Sequence, residues 1–585
     1  MNCKSTAGLP LVVTLVLLGV AGCSRTPPPA AQAPPAPAAT EQWQAFIDRF
    51  IEESFVANPF FAVDSGRHDF DGRAPDWSAA GIAKEVARLQ AARNEAQNFA
   101  TDALTPGQQF EREYLIRGVI NSQLFWLDTA RFPFRNPAFY IGRLDPDAYL
   151  SRNYAPLEKR IVGYTGYARA IPKIAADIRA NLQTPLPRTY VERGIAGFGG
   201  FASFYRSDIP KVFAEVKDAE LQKQLAEAND AAAKAMEGLR DWLTSERKNA
   251  TDEFALGPQL FSQMVEQTEF VDIPLEELRA AGQADLDRNL AALREACGKY
   301  LPAGTIPACI AKMEKHKSAD GTVKAATTQL DELRKFVTEK HLVSIPTDQQ
   351  AKVKESPPYN AANFAYINIP GPYEAKDVAW TYFVAPPDPS WTPKERAEYI
   401  PGMADLLFTS VHEVWPGHFL QYQHAVRNPS KVASLWIGYA YAEGWAHYAE
   451  ELMWEAGLGN GDPEYHIGQL TNALLRNVRY LSALGLHTQG MTVEQSEKMF
   501  RESAFSDAGT ARQQAARGTY DPGYLNYTLG KLMIRKLRAD WNGGSASPEK
   551  WQAFHDKFLS YGGPPIPLVR KDMMKGAAGG EGSLF

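Results

Sequence analysis

The chain reads as mainly α-helical with a small β-sheet, and three observations lead there. Apolar residues recur at three- and four-residue intervals through most of its 585 residues. Between about 342 and 393 that rhythm stops, and Pro346, Pro357, Pro358, Pro370, Pro372, Pro386, Pro387 and Pro389 set off two short runs rich in aromatic and β-branched side chains. From about 394 to the end the helical rhythm returns.

Residues 1–22 come first, with Lys4 ahead of an apolar run from Leu9 to Val20. That run is too short for a permanent span, which needs about 20 residues, so it reads as a secretory signal. Its end, Val20-Ala21-Gly22-Cys23, resembles a bacterial lipobox. The resemblance implies cleavage before Cys23 and lipidation of that residue, and Ser24 implies sorting to the outer membrane on the periplasmic side. An ordinary signal peptide with an incidental cysteine is the other reading. Residues 23–40 are dominated by Pro and Ala, with almost nothing to build a core, and read as a tether.

Residues 41–341 are expected to form a helical N-terminal half. Trp43, Phe46, Ile47, Phe50, Ile51 and Phe55 make the apolar stripe of its first helix, and similar patterns cover about 80–99, 107–131, 157–183, 211–247, 274–297 and 321–341. The run Gly194 to Phe201 is glycine-rich but lacks the Lys-Ser/Thr of a phosphate loop and the spacing of a dinucleotide site. Close helix packing or a flexible cleft wall is expected there. Cys297 and Cys309 are an even pair once Cys23 is acylated, and an oxidising compartment would join them in a disulfide.

Residues 342–585 make the second half. Phe364–Ile369 and Val378–Val384 are its expected strands, which either brace the following helix or offer an edge to an extended peptide. Helices are expected near 402–415 and 433–457, and Asp521-Pro522-Gly523 marks a turn into another that carries Tyr524, Tyr527 and Lys531. The net charge of −6 is spread without a basic block, which argues against a nucleic-acid partner.

The chemistry gathers at Val411-His412-Glu413-Val414-Trp415-Pro416-Gly417-His418 and at Ala442-Glu443-Gly444-Trp445-Ala446-His447-Tyr448. Two neutral imidazoles and a carboxylate form a hydrolytic zinc site with its fourth position open to water. His412 and His418 lie six apart, however, which on a regular helix leaves them about 120° apart. Pro416 lacks the amide that would bond the His412 carbonyl, and Gly417 tolerates unusual angles. The helix is therefore expected to bulge or end at Trp415–Gly417 and turn His418 back beside His412.

Glu413 would then stand beside the metal as general base and acid, with Glu443 as the third ligand. His447, four residues beyond Glu443, has three readings: a donor to an oxyanion, a side chain that orients a ligand, or a hydrogen-bonded core histidine. Tyr527 could supply an oxyanion donor, and Arg517 or Lys531 could hold a substrate carboxylate, against the bland reading of long basic side chains as surface.

The run His412 to Gln421, the run Glu443 to Leu452 and the later Tyr524-Leu525-Asn526-Tyr527-Thr528-Leu529-Gly530-Lys531 resemble the DUF885 family. These are bacterial, often lipoprotein, proteins read as metallopeptidases related to the gluzincins. The resemblance covers most of the chain after about residue 41. It implies a gluzincin-like fold with a helical N-terminal half over an active-site cleft, one Zn²⁺ on His412, His418 and Glu443, and Glu413 as catalytic base. The expected activity is hydrolysis of peptide bonds, in short peptides. A non-peptidase amide hydrolase of the envelope and an inactive lipid-anchored binding protein are the alternatives.

Overall fold

Helix α1 (Ala39–Ala57) buries Trp43, Phe46, Ile47, Phe50, Ile51 and Phe55, as their spacing along one face requires. It opens a computed structural model that describes residues 38–356, 364–375, 378–387, 391–543, 550–576 and 583–585. The signal segment, Cys23, the tether as far as residue 37, and Pro357, Pro358 and Pro389 lie outside the described residues.

Helix α2 (Ala79–Asn98) follows, started by the Ser78 hydroxyl, which accepts from the Gly81 amide. The expected helix at 107–131 opens with a capping box, Thr105 with Gln108, and passes through π-helical turns at Tyr114–Ile120 and Phe125–Thr129. Then come α3 (Leu157–Asn181), α4 (Arg188–Ser207) and α5 (Ala219–Glu246). The pattern at 211–247 splits, because Asp218 caps α5 by accepting from the amides of Glu220 and Leu221, and Ile209–Val212 forms a separate turn.

The glycine-rich run lies inside α4 and serves close packing. A Cβ on Gly194 would sit 2.4 Å from Leu243 Cδ1 of α5, and one on Gly197 equally close to Ile141 Cδ1. After α6 (Leu275–Tyr300) the disulfide Cys297–Cys309 ties that helix to the short helix Ile306–Glu314, and α7 (Thr322–Glu339) precedes the sheet.

Three strands, β1 (Lys352–Glu355), β2 (Ala365–Asn368) and β3 (Thr381–Val384), lie in the order β1-β3-β2. β1 runs parallel to the buried central β3, with Lys352 opposite Thr381, and β2 runs antiparallel, with Ala365 opposite Val384. β2 and β3 fall in the expected runs. β1, Lys-Val-Lys-Glu, is polar and mostly exposed, so no alternating apolar pattern betrays it.

The remaining principal helices are α8 (Met403–Glu413), α9 (His418–Ala425), α10 (Tyr439–Glu455), α11 (Pro463–Thr488), α12 (Ala508–Tyr520) and α13 (Asn526–Trp541). One apolar core runs from Trp43 to Met574, crossing the division at residue 341. Among the described residues no helix is long and apolar enough to cross a membrane.

Candidate metal centre

Helix α8 ends at Glu413, where Val414 leaves helical geometry at φ −127° and ψ −75°. Three residues on, the Gly417 amide donates to the Val411 carbonyl at 3.0 Å, and α9 starts at His418. Glycine is required by space here, since a Cβ at 417 would lie 1.8 Å from the His412 carbonyl oxygen. The indole of Trp445 donates to the Pro416 carbonyl at 2.8 Å and pins the turn to α10. The expected break thus brings the His412 and His418 rings to 4.8 Å between centroids, nearly perpendicular at 88°.

Helix α10 delivers Glu443 because it lies unusually close to α13. A Cβ on Gly444 would be 2.4 Å from Gly530 Cα, and one on Gly530 would be 2.0 Å from the Ala440 carbonyl. One Glu443 carboxylate oxygen stands 3.2 Å from His412 Nε2 and 3.3 Å from His418 Nε2. Burial works against the Glu443 anion, but the two imidazoles outweigh it and hold the carboxyl well below its ordinary range.

One donor atom from each of His412, His418 and Glu443 lies within 4.8 Å of the others. A tetrahedral ion at zinc's bond lengths separates its donors by about 3.3–3.5 Å, and the two Glu443–imidazole distances, 3.2 and 3.3 Å, are close to that, so these residue types could hold such an ion.

A buried carboxylate missing from the sequence reading orients this set. His412 Nδ1 donates to Glu450 at 2.7 Å, which leaves Nε2 facing Glu443. Glu450 also receives Arg476 at 3.2 Å and His447 Nδ1 at 3.3 Å. His447 is wholly buried and is not among the cleft-lining residues, so of its three readings the oxyanion donor is the one the geometry does not support. The signal for Glu450 lay in the seven-residue step from Glu443, two turns along one face of α10.

Glu413 lines the cleft beside the triad, and burial raises its pKa against the opposing pull of His412 and His418. Tyr527 also lines it, its ring 6.3 Å from that of His412 and nearly parallel. Arg517 reaches the cleft while donating to Asp521 at 2.9 Å and to the Tyr439 hydroxyl at 3.1 Å. Lys531 does not reach it: the side chain is fully buried and ion-paired with Asp285 of α6 and, at 3.6 Å, Glu451 of α10. A role for Lys531 in holding substrate is therefore corrected, because those two acids already surround its charge.

The cleft encloses about 1240 Å³. Its far wall comes from the N-terminal helices and their connections through Arg143, Asp145, Arg193 and Phe201, and β2 contributes Ala365, Tyr366 and Ile367. Asp145, Tyr366, Ile367 and Tyr422 also line a second cavity of about 1310 Å³ that continues from it.

A family described as bacterial protein of unknown function (DUF885) matches residues 59–573. No curated protein matches the chain. Two solved structures share its fold. A candidate lipoprotein of unknown function from Shewanella oneidensis is 24% identical, with a TM-score of 0.75 over 91% of this chain and 99% of that one. A candidate lipoprotein from Colwellia psychrerythraea is 18% identical, with a TM-score of 0.75 over 92% of this chain and 99% of that one.

Proposed function

The chain belongs to the DUF885 family, and we propose that it is a zinc-dependent, gluzincin-like hydrolase of peptide bonds in short peptides. The observation that carries this reading is the meeting of two imidazole nitrogens on one Glu443 oxygen, at 3.2 and 3.3 Å, with Glu413 in the same cleft wall. Zinc held by His412, His418 and Glu443 would supply a Lewis acid that polarises a carbonyl and makes water nucleophilic near neutral pH.

The protein's own groups do the rest. Glu413, made more basic by burial, takes the proton of the attacking water and returns it to the departing amine. Tyr527 donates its phenolic proton in a hydrogen bond to the oxygen that gains charge. Glu450 keeps the His412 ring in one tautomer and one orientation.

β2 is an edge strand, and three of its residues line the cleft, so an extended peptide can lie along it. The wall from the N-terminal helices and their connections favours short substrates. Lipidation at Cys23 would hold the enzyme at the periplasmic face of the envelope.

The test is Glu413→Gln assayed on a library of short peptides. Metal should stay bound while hydrolysis is lost. Turnover at the wild-type rate would remove Glu413 from the role of base.

A further inference from the structure

The cleft carries more positive charge than its own acids balance, and the excess is concentrated beside Tyr527. Arg479 of α11 is buried, with its guanidinium 5.0 Å from the centre of the Tyr527 ring, whose neighbour at 6.3 Å is the His412 ring. Its Nε donates to Gln514 at 2.8 Å, while its two terminal nitrogens make no hydrogen bond to any described residue. No carboxylate pairs with it among the described residues. Arg517 stands on the same side, its charge shared with Asp521, and Arg193 approaches from α4, its guanidinium 5.9 Å from the Tyr520 ring. Arg193 Nε is buried without a described partner.

A buried cation without a counter-ion is costly, and one held by a neutral amide with its fork open into a cavity is a receptor for a planar anion. We propose that Arg479, supported by Arg517 and Arg193, receives the free α-carboxylate of the substrate, so that this is an exopeptidase or dipeptidase acting next to a C-terminus. The proposal rests on the hydrolase reading for its reaction but on the arginines for its ligand. The scale agrees: the 6.3 Å from the His412 ring to the Tyr527 ring and the 5.0 Å from there to the Arg479 guanidinium put the two at most about 11 Å apart, a gap that one or two extended residues of about 3.3–3.6 Å fill together with the contacts at either end.

The experiment compares the dipeptide Gly-Phe with its C-terminal amide. Binding is measured by calorimetry to the intact, zinc-supplied protein carrying Glu413→Gln, and hydrolysis is measured in parallel with Glu413 intact. The acid should bind at least about 100-fold more tightly than the amide, and kcat/KM should differ in the same direction. Arg479→Ala should bring the acid down to the amide's level, and Arg479→Lys, which keeps charge and loses the fork, should fall between. The acid–amide comparison needs no variant at Arg479, so a fold damaged by the substitution does not blunt it.

Preference for the acid in binding, without hydrolysis of either peptide, would support the carboxylate site and sink the peptidase reading. Hydrolysis of both peptides at one rate, or equal binding of both, would leave the peptidase and overturn the carboxylate site. Failure of the folded protein to bind or cleave either one would overturn the carboxylate site as well.

Discussion

His412 Nδ1 donates a 2.7 Å hydrogen bond to Glu450, a carboxylate buried two turns along the same helix as Glu443. One helix therefore supplies both the anion that faces His412 Nε2 and the anion that fixes the other side of its ring. Arg476 keeps the second carboxylate charged: burial opposes the Glu450 anion, but Arg476, His447 and His412 outweigh that and hold its pKa far below the usual range.

Glu450→Gln keeps the shape and removes the charge. Zinc affinity, measured by competition with a chromogenic chelator, should fall about 10- to 100-fold with the fold retained. Unchanged affinity would mean that the His412 ring is positioned by packing alone.

Zinc uptake should release a proton. In the metal-free protein, burial and Arg476 lower the His412 pKa, but hydrogen bonds to Glu443 and Glu450 outweigh them and raise it to about 9. Below that pH zinc must displace the His412 proton, so affinity should rise as pH climbs from about 7 towards 9 and flatten above it. Calorimetry in buffers of different ionisation heat should find about one proton released per zinc at pH near 7. No dependence on the buffer would contradict the raised pKa.

Gly530→Ala should loosen the contact that sets Glu443 against Tyr527. The new Cβ would meet the Ala440 carbonyl, and destabilisation of about 1–3 kcal/mol is expected from such overpacking. Chemical denaturation reads this directly, and an unchanged midpoint would show that α10 and α13 separate without cost.

Tyr527→Phe should lower kcat by about 10²-fold with little change in KM, as expected for a donor that engages only in the transition state. Equal turnover would exclude the phenol from catalysis.

Much of this architecture was legible in the chain because period and punctuation agreed. The α1 stripe, the prolines around the sheet and the break at Pro416-Gly417 each have one local solution, and the folded chain adopts it. What escaped was decided by distant partners. Lys531 has the right spacing from Tyr527 on α13, but Asp285 lies 246 positions away in sequence and claims its charge. β1 is a strand only because β3 accepts it, and nothing in Lys-Val-Lys-Glu requires that. Arg476 and Arg479 were visible as charges in a largely apolar stretch of α11, a pattern that calls for buried partners or a ligand.

The measurement closest to the central claim is metal content by elemental mass spectrometry, made on the purified protein and on His412→Ala prepared beside it. The triad predicts about one zinc per chain in the first and its loss in the second. No metal in either after zinc is supplied, or equal metal in both, would contradict a centre built on His412, His418 and Glu443.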